Sequence, residues 1–296
     1  MCIRLAEKSS GLVDFLFGPE FFCFPFDVWQ TATSTCVRMS QESMQPVEDF
    51  TKVESIFVRH RNCLLLCAQL TPVFTDYYLH LMEHKLSYSS ELDTQLKDLI
   101  AVLSLHLTAR PWAETIAWTF SQRAPRVNFF ATGSSLFENV TGRLFTKDVK
   151  EPATNLMYSQ TSVSGQEPRT TTVEVSSNDP IDWIEHYYSQ SEQRPARCFR
   201  LDDENYVLIA AQPDYDEEWF EELDQEKAAS VIEDEQTKLL ETRKFRFFCG
   251  CSKERIISTL GAWKDKPDEL FQGEEQITVN CPRCGAHYEV KPGDLA

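Results

Sequence analysis

Two closely spaced cysteine pairs, Cys249-Gly250-Cys251 and Cys281-Pro282-Arg283-Cys284, decide how the C-terminal part of this chain folds. Thiolates are the ligands that Zn²⁺ takes in closed structural sites, where four of them surround the ion as a tetrahedron. We therefore predict one zinc site built from all four cysteines. The same four sulfurs could instead close as two short-range disulfides, so a metal clamp and a redox switch are both open at this point.

The segment that carries the cysteines, residues 245–296, is predicted to be a small separate domain. Three of its apolar residues share one face of a helix: Ile256, Leu260 and Trp263. Ser252 is a suitable N-cap for that helix. Residues 276–280 and 287–290 then form the two arms of a hairpin, with the second cysteine pair between them. So few apolar side chains do not stabilise a domain of this size, and a metal ion is the usual remedy.

The predicted metal site has consequences for folding and for reactivity. Structural zinc can contribute about 10–16 kcal/mol to the folding of a small domain, more than the whole stability of many domains. Zinc also keeps the sulfurs as thiolates, which is the form that oxidants attack. Peroxide or hypochlorous acid could thus produce disulfides, expel the metal and melt the domain. A zinc module with a purely structural role is the alternative. His287 lies close enough to be a fifth ligand, but we interpret it as a hairpin residue.

Residues 47–213 are predicted to form the main domain, with an α+β fold. A helix is indicated by apolar residues at helical spacing, Leu96, Leu99, Ile100, Leu103 and Leu107. Pro111 ends that helix, and a second helix is predicted over residues 182–190. Strands are predicted over residues 63–70, 115–120, 127–130, 171–175 and 206–209. Helices and strands without a regular repeat favour the α+β class.

Residues 214–244 are predicted to be an acidic helical linker between the two domains. Acidic residues dominate this stretch and its surroundings, and a density of like charge favours helix over strand. Two apolar stripes are expected to face the rest of the protein, one of Trp219, Phe220 and Leu223 and one of Val231, Ile232, Leu239 and Leu240. The linker is either a solvated connector or a marginal segment that docks only while its neighbour is folded.

Composition restricts the class of protein. The chain has 296 residues, 42% of them hydrophobic, and a formal net charge of −17. That charge disfavours binding to nucleic acid or to anionic membranes, and the lack of a long apolar run predicts no membrane span. Residues 1–46 are an aromatic extension without the pattern of a secretory signal, so we expect a cytoplasmic protein. Six further cysteines are expected to behave as small buried hydrophobic residues, namely Cys2, Cys23, Cys36, Cys63, Cys67 and Cys198.

No constellation of residues in the sequence indicates an enzyme. There is no phosphate-binding loop, no dinucleotide fingerprint and no nucleophile elbow around Ser134 or Ser135. A thiol oxidoreductase that uses Cys281 and Cys284 is disfavoured, because such motifs stand at a helix N-terminus whereas this one falls in a predicted hairpin. We therefore predict a binding protein and no catalytic residues.

The cysteine spacing resembles that of the 33 kDa chaperonin (HslO) family of redox-regulated heat-shock chaperones. In both, a Cys-x-Cys pair is followed by Cys-Pro-x-Cys-Gly, here at residues 249–251 and 281–285. The segment Tyr187-Tyr188-Ser189-Gln190-Ser191-Glu192-Gln193-Arg194-Pro195 looks like the helix and turn that precede the family's last substrate-domain strands. The order of a large α+β domain, a charged linker and a thiol module is similar as well, so the resemblance covers roughly residues 50–296.

The resemblance implies a holdase chaperone that works without ATP. On this reading Cys249, Cys251, Cys281 and Cys284 bind one Zn²⁺ per chain in the reduced, inactive form. Oxidation would form the disulfides Cys249–Cys251 and Cys281–Cys284, release zinc and unfold the linker. The uncovered apolar surface would bind unfolding or oxidatively damaged client proteins, and the oxidised form would be a homodimer. The alternative is a structural zinc-ribbon adaptor that binds a fixed protein partner without a redox switch.

Overall fold

The computed structural model describes the backbone of residues 12–13 together with residues 50–147 and 149–295. Its strands are β1 Leu12–Val13, β2 Thr51–Val58, β3 Cys63–Gln69, β4 Glu114–Gln122, β5 Val127–Ser134, β6 Asn139–Phe145, β7 Leu156–Val163, β8 Arg169–Glu174, β9 Ala196–Arg200, β10 Asn205–Ala211, β11 Thr237–Phe247, β12 Ile277–Asn280 and β13 His287–Val290. Its α-helices are α1 Thr71–Glu83, α2 Ser90–Thr108, α3 Pro180–Tyr187, α4 Glu217–Glu221, α5 Gln225–Asp234, α6 Lys253–Thr259 and α7 Pro267–Phe271.

Ten of these strands form one sheet in the order β8-β7-β4-β5-β6-β11-β2-β3-β10-β9. Neighbouring strands are antiparallel except β11 and β6, which run parallel and pair only through Arg246 with Asn139 and Phe247 with Val140. The strands β1, β12 and β13 form a second, small sheet. Helices that lie apart from a mainly antiparallel sheet define an α+β fold, so the predicted fold class is confirmed.

The main core lies between the sheet and helix α2. The predicted face of Leu96, Leu99, Ile100, Leu103 and Leu107 is fully buried there, and the neighbouring residues of the helix are buried too. The side chain of Ser89 accepts a hydrogen bond from the amide of Leu92 and caps the helix, which ends at Thr108 before the predicted stop. Helix α2 therefore passes through the interior of the domain.

Most predicted elements of the main domain are confirmed. The five predicted strands correspond to β3, β4, β5, β8 and β10, and the second predicted helix corresponds to α3 followed by a π-turn over Tyr188–Glu192. The sequence did not reveal β2, α1, β6, β7 or β9. None of the helices in the part of the chain that the structure describes is long and apolar enough to cross a bilayer. Residues 1–46, including Cys2, Cys23 and Cys36, lie outside the described residues apart from β1.

The prediction of a wholly helical linker over residues 214–244 is wrong in its second half. Helices α4 and α5 occupy its first part, but β11 begins at Thr237 and lies in the main sheet beside β2. Every second residue near the end of β11 is buried, which is the alternation typical of a strand: Arg243, Phe245 and Phe247. The acidic composition of the segment obscured this alternation in the sequence. Leu239 and Leu240 belong to this strand and are exposed, so they do not form the predicted helical stripe with Val231.

Helices α4 and α5 cover one face of the sheet. Phe220, Leu223 and Val231 are buried in an apolar cluster with residues of β2, β3 and β10: Ile56, Val58, Leu65, Val207 and Ile209. This cluster is separate from the main core. The first predicted stripe therefore faces the sheet, whereas Ile232 points outward and is 47% exposed.

Both ends of the helical part of the linker are tied to the turn between β2 and β3. The guanidinium of Arg61 forms ion pairs with Asp216 at 2.6 Å and with Glu235 at 2.9 Å. The amide side chain of Asn62 donates to the carbonyl of Asp214 at 2.9 Å. These contacts hold both ends of residues 214–235 at the turn between β2 and β3.

The thiol domain, residues 249–295 of the described chain, has its own small core. Ser252 caps α6 by accepting a hydrogen bond from the amide of Arg255 at 3.3 Å, and β12 and β13 form the predicted hairpin. The core holds the sulfurs together with a short set of apolar side chains, Ile256, Leu260, Leu270, Phe271, Ile277, Val279, Val290 and Leu295. No residue of this cluster belongs to the main core, so the two domains have separate interiors.

Candidate metal centre

The four predicted site residues come together at one point. The Sγ atoms of Cys249, Cys251, Cys281 and Cys284 all lie within 4.8 Å of one another. The separation is 3.7 Å between Cys249 and Cys281 and 3.5 Å between Cys251 and Cys284. A tetrahedron with Zn–S bonds of about 2.3 Å has sulfur–sulfur edges of about 3.8 Å. A disulfide would need about 2.05 Å, so all four are free thiols in an arrangement that could hold a metal ion.

Two glycines turn the chain so that each pair can face the centre. Gly250 and Gly285 have φ values of +69° and +79°, a conformation that favours glycine. The amide of Gly285 donates to the carbonyl of Cys281 at 2.9 Å, and the amide of Cys281 donates to the carbonyl of Ala286 at 2.7 Å. These turns place both sulfurs of each pair on the same side of the backbone.

The four sulfurs differ in their surroundings. Cys249, Cys281 and Cys284 are buried, whereas Cys251 is only half-buried and its sulfur lies 3.1 Å from the hydroxyl of Tyr288. Mutual hydrogen bonds, first of all with Cys249, lower the pKa of the Cys281 thiol, while such bonds raise the pKa of the Cys249 and Cys284 thiols, so the four protons are shared unequally. A cluster of this kind shares its negative charge and is suited to binding a cation.

The thiol domain is docked on the main domain through the cysteines' own backbone. Nε2 of His80 on α1 lies 3.0 Å from the carbonyl of Cys284, and Nη1 of Arg143 on β6 donates to the carbonyl of Cys281 at 2.8 Å. Because a carbonyl only accepts, His80 must donate. Burial lowers the pKa of His80, so the ring is neutral at neutral pH and donates through Nε2–H.

Close packing supports these two hydrogen bonds. A Cβ atom added at Gly285 would come within 3.3 Å of Leu86, which shows how near the cysteine turn lies to the main domain. The ring of His84 lies 6.3 Å from that of Tyr288, and the ring of His80 lies 5.3 Å from that of Phe247 at the end of β11. The metal centre is therefore located at the junction of the thiol domain, α1, β6 and the linker strand.

The histidine and the three other cysteines that the sequence analysis considered, and that the structure describes, are not part of the four-thiol group. His287 is exposed on β13 and is not part of the sulfur group, as the hairpin interpretation predicts. Burial raises the pKa of the Cys63 thiol to about 12 and that of Cys67 to about 11. Cys198 is buried and its pKa is also raised by burial. The raised pKa disfavours the reactive thiolate form at all three. Cys63 and Cys198 are buried, as the sequence predicts, whereas Cys67 is only half-buried.

Sequence reasoning missed the residues that attach the centre to the rest of the protein. His80 and Arg143 belong to α1 and β6, neither of which was predicted, and their partners are backbone carbonyls that leave no mark in composition. Tyr288 stood in a predicted strand. Its position four residues after Cys284 was the only available signal that it faces the sulfurs.

Comparisons with known proteins agree with this architecture of a sheet domain carrying a docked four-thiol domain. The family model described as "Hsp33 protein" matches residues 200–291. The 33 kDa chaperonin of Desulforamulus reducens is 28% identical over 159 residues, which cover 44% of this chain and 54% of that protein. The 33 kDa chaperonin of Bacillus cytotoxicus is 36% identical over 66 residues, which cover 22% of this chain and 23% of that protein. The chain thus spans about half the length, or less, of the curated relatives it matches.

The fold is also that of a solved 33 kDa chaperonin. The crystal structure of the 33 kDa chaperonin (heat shock protein 33 homolog) from Thermotoga maritima superimposes with a TM-score of 0.63 at 16% identity, covering 84% of this chain and 97% of that one. The fold is thus of the Hsp33 class. The similarities in sequence and fold, together with the cysteine cluster, support a divergent relative of the 33 kDa chaperonins.

Proposed function

We propose that this protein is a redox-regulated holdase chaperone that needs no ATP. The observation that carries the proposal is the group of four thiols that also supplies the docking contacts between the two domains. Similarity to curated relatives supports the chaperone class, since those relatives bear the name chaperonin. The clients would be unfolding or oxidatively damaged proteins. We propose a cytoplasmic location and a homodimer for the oxidised form, with no role for nucleic acid or a membrane.

The reduced form would hold one Zn²⁺ on Cys249, Cys251, Cys281 and Cys284. When bound, the ion would keep four thiolates together and supply most of the folding free energy of the thiol domain. The apolar core of that domain is small, as only a short set of residues is buried around the sulfurs. Loss of the ion is therefore expected to unfold it.

Oxidation would remove the ligands in pairs. Two thiolates become one disulfide and give up two electrons. Together with two protons, these electrons cleave the O–O bond of a hydroperoxide and yield two waters from hydrogen peroxide, or an alcohol and a water from an organic hydroperoxide. On the family's pattern the bonds would be Cys249–Cys251 and Cys281–Cys284. Because a disulfide sulfur is a poor ligand for zinc, two such bonds would release the ion.

Release of the ion would then act on the linker. The carbonyls of Cys281 and Cys284 accept the hydrogen bonds that dock the thiol domain, and Phe247 of β11 contacts His80 at that junction. Unfolding of the domain would break these contacts and free the end of β11. We propose that α4 and α5, which precede β11 and bury few apolar side chains, open as well and uncover the apolar face of β2, β3 and β10 as the client-binding surface.

Zinc release should be followed together with the suppression of aggregation. The reduced, zinc-loaded protein is treated with peroxide at elevated temperature, while a chelating dye reports zinc and light scattering follows a heat-denatured client. The proposal predicts release of about one zinc ion per chain together with new suppression of scattering. Zinc release without any gain of holding activity would overturn the chaperone switch and would favour the structural zinc-ribbon adaptor.

A further inference from the structure

One hydrogen bond distinguishes Cys251 from the other three sulfurs. The hydroxyl of Tyr288 lies 3.1 Å from Sγ of Cys251, and Cys251 is the half-buried member of the group whereas Cys249, Cys281 and Cys284 are 8%, 2% and 1% exposed. The most exposed cysteine of the group is thus the one whose sulfur accepts a hydrogen bond from a side-chain hydroxyl.

The direction of this bond follows from the chemistry of the two groups. A phenol with an ordinary pKa of about 10 keeps its proton at neutral pH, whereas a metal-bound thiolate has none. The O–H of Tyr288 therefore donates to the sulfur. The ring is held in place because Tyr288 is paired with Val279 across the β12–β13 hairpin and packs near His84 of α1.

A donor at this position changes the reactivity of the thiolate. Hydrogen bonds to a ligating sulfur withdraw electron density from it and tune the metal site. We propose that Tyr288 restrains the oxidation of Cys251, so that the most exposed cysteine of the group reacts more slowly than its exposure alone would allow. This inference rests on the proposed function, since it concerns the reactivity of the thiolate form.

The step that Tyr288 restrains is the first bond to oxygen. The Cys251 thiolate attacks a hydroperoxide, an S–O bond forms, the O–O bond breaks, and hydroxide or alkoxide leaves and takes up a proton from water. The sulfenic acid is then attacked by a second thiolate, which forms the S–S bond and displaces hydroxide. In the first step the sulfur lone pair is the nucleophile. A hydrogen bond to that lone pair must be weakened on the way to the transition state, which slows the reaction.

Tyr288→Phe tests the inference because it removes the hydroxyl and keeps the ring. In the cobalt-substituted full-length protein, the sulfur-to-cobalt charge-transfer band should move to lower energy, since a thiolate without its donor is more easily oxidised. Retained d–d bands of tetrahedral cobalt verify that the variant assembles its site. Tyr158→Phe, on strand β7 of the main sheet, is the matched control and should leave the band in place.

The second readout is the rate at which each cysteine is oxidised. Zinc-loaded wild type and Tyr288→Phe are exposed to hydrogen peroxide with dimedone present, and mass spectrometry follows the peptides that contain each sulfur. Loss of one charge-assisted hydrogen bond should raise the rate at Cys251 about tenfold. Unchanged rates together with an unmoved cobalt band would overturn the inference.

A stronger donor should act in the opposite direction. Placing 3-fluorotyrosine at position 288 alone lowers the phenol pKa, so the charge-transfer band should move to higher energy and the oxidation of Cys251 should slow. A shift in the same direction as that of Tyr288→Phe would show general disturbance and overturn the inference. Neither readout requires holding activity, so failure of the chaperone proposal and failure of this one are distinguishable.

Discussion

The cysteine residues of the thiol domain serve two purposes through different atoms. Their sulfurs converge within 4.8 Å of one another, and the carbonyl oxygens of Cys281 and Cys284 accept hydrogen bonds from Arg143 and His80 of the main domain. A change in the backbone of the second pair therefore acts directly on the contact between domains. In the proposed mechanism, this connection would carry a redox event at the sulfurs to the contact between the domains.

Replacing one ligand tests the metal site. In Cys284→Ser the hydroxyl is a far weaker zinc ligand than a thiolate, so zinc content after dialysis against a mild chelator should fall from about one per chain to near zero. The thiol domain should lose its near-ultraviolet circular dichroism. Cys67→Ser, at a half-buried cysteine outside the group, is the control and should keep its zinc. Full zinc retention in Cys284→Ser would contradict the site.

Arg143→Met tests the docking contact. The guanidinium donates to the carbonyl of Cys281 at 2.8 Å and lies 4.2 Å from the ring centre of Phe145. Loss of a hydrogen bond to a charged group costs about 1.5–3 kcal/mol. The undocked population should therefore rise about tenfold or more, measured as faster proteolysis around residues 246–252 in the reduced, zinc-loaded protein.

The control for that experiment is an arginine that makes a weaker contact. Arg169 is 67% exposed and pairs with Glu114 at 3.3 Å, so Arg169→Met should change the proteolysis rate little. Equal rates for Arg143→Met and wild type would contradict a docking role for Arg143.

At the level of elements, the linker combines two helices that cover the sheet with a strand that belongs to it. Helices α4 and α5 and the turn between them bury Phe220, Leu223 and Val231, but many of the other residues of this segment are charged and exposed. A segment with so few buried side chains has low local stability and opens without unfolding of the whole domain. The strand β11 that follows is paired along β2 and is better protected.

Val231→Ala measures how strongly the buried face holds the linker. Val231 is 2% exposed, whereas its neighbour Ile232 is 47% exposed, so the two positions form a matched pair. Removing the buried methyl groups should destabilise the docked helices by about 1–3 kcal/mol. The variant should therefore suppress client aggregation at a lower peroxide dose than wild type. Ile232→Ala should behave like wild type, and identical dose curves for all three proteins would contradict the covering role of α5.

Arg61→Met tests the anchor at the β2–β3 turn. Its ion pairs with Asp216 and Glu235 are partly open to water, since the side chain is 33% exposed. Such pairs are weak individually and are screened by salt. Hydrogen exchange of residues 217–235 should accelerate about two- to fivefold at low salt, and the difference should shrink as salt is added. Lys227→Met, which breaks the exposed pair with Glu222, is the control. A salt-independent difference would contradict an ionic anchor.

The sequence predicted the elements whose patterns are local. The helical spacing of Leu96, Leu99 and Leu103, the apolar run of β3 and the cysteine pairs each carry their signal within a short window. Strand β11 was not predicted because one of its alternating buried residues is an arginine, Arg243. An arginine in a sequence indicates an exposed position, so the alternation with Phe245 and Phe247 was not recognised. Arg243 is tolerated there because it donates to the carbonyl of Leu107 and to Ser135, at 2.7 and 2.9 Å.

The sequence predicted the four candidate ligands but not the residues that connect the site to the main domain. The four cysteines could be recognised from the sequence as candidate metal ligands, because the signal for such a site is the short spacing within each pair. The donors His80 and Arg143 lie far away in sequence and bond to backbone atoms, so only the tertiary structure brings them to the site. The same holds for the sheet face that α4 and α5 cover, which combines residues of three separate strands.

On the scale of the whole molecule, two separate cores are joined by one linker. The main core lies around α2, the small core of the thiol domain lies around the sulfurs, and a third cluster lies beneath the linker helices. Because these clusters share no residues, loss of the thiol domain need not unfold the main sheet. We therefore predict partial, ordered opening in place of global unfolding.

Hydrogen exchange mass spectrometry of the full-length chain tests this ordered opening most directly. The zinc-loaded protein is compared before and after peroxide treatment at elevated temperature, with strands β4 and β5 as the internal reference for the main sheet. We predict that residues 249–295 and helices α4 and α5 lose protection together while β4 and β5 keep theirs. A thiol domain that exchanges freely while α4 and α5 stay protected would contradict the coupling between the sulfurs and the linker.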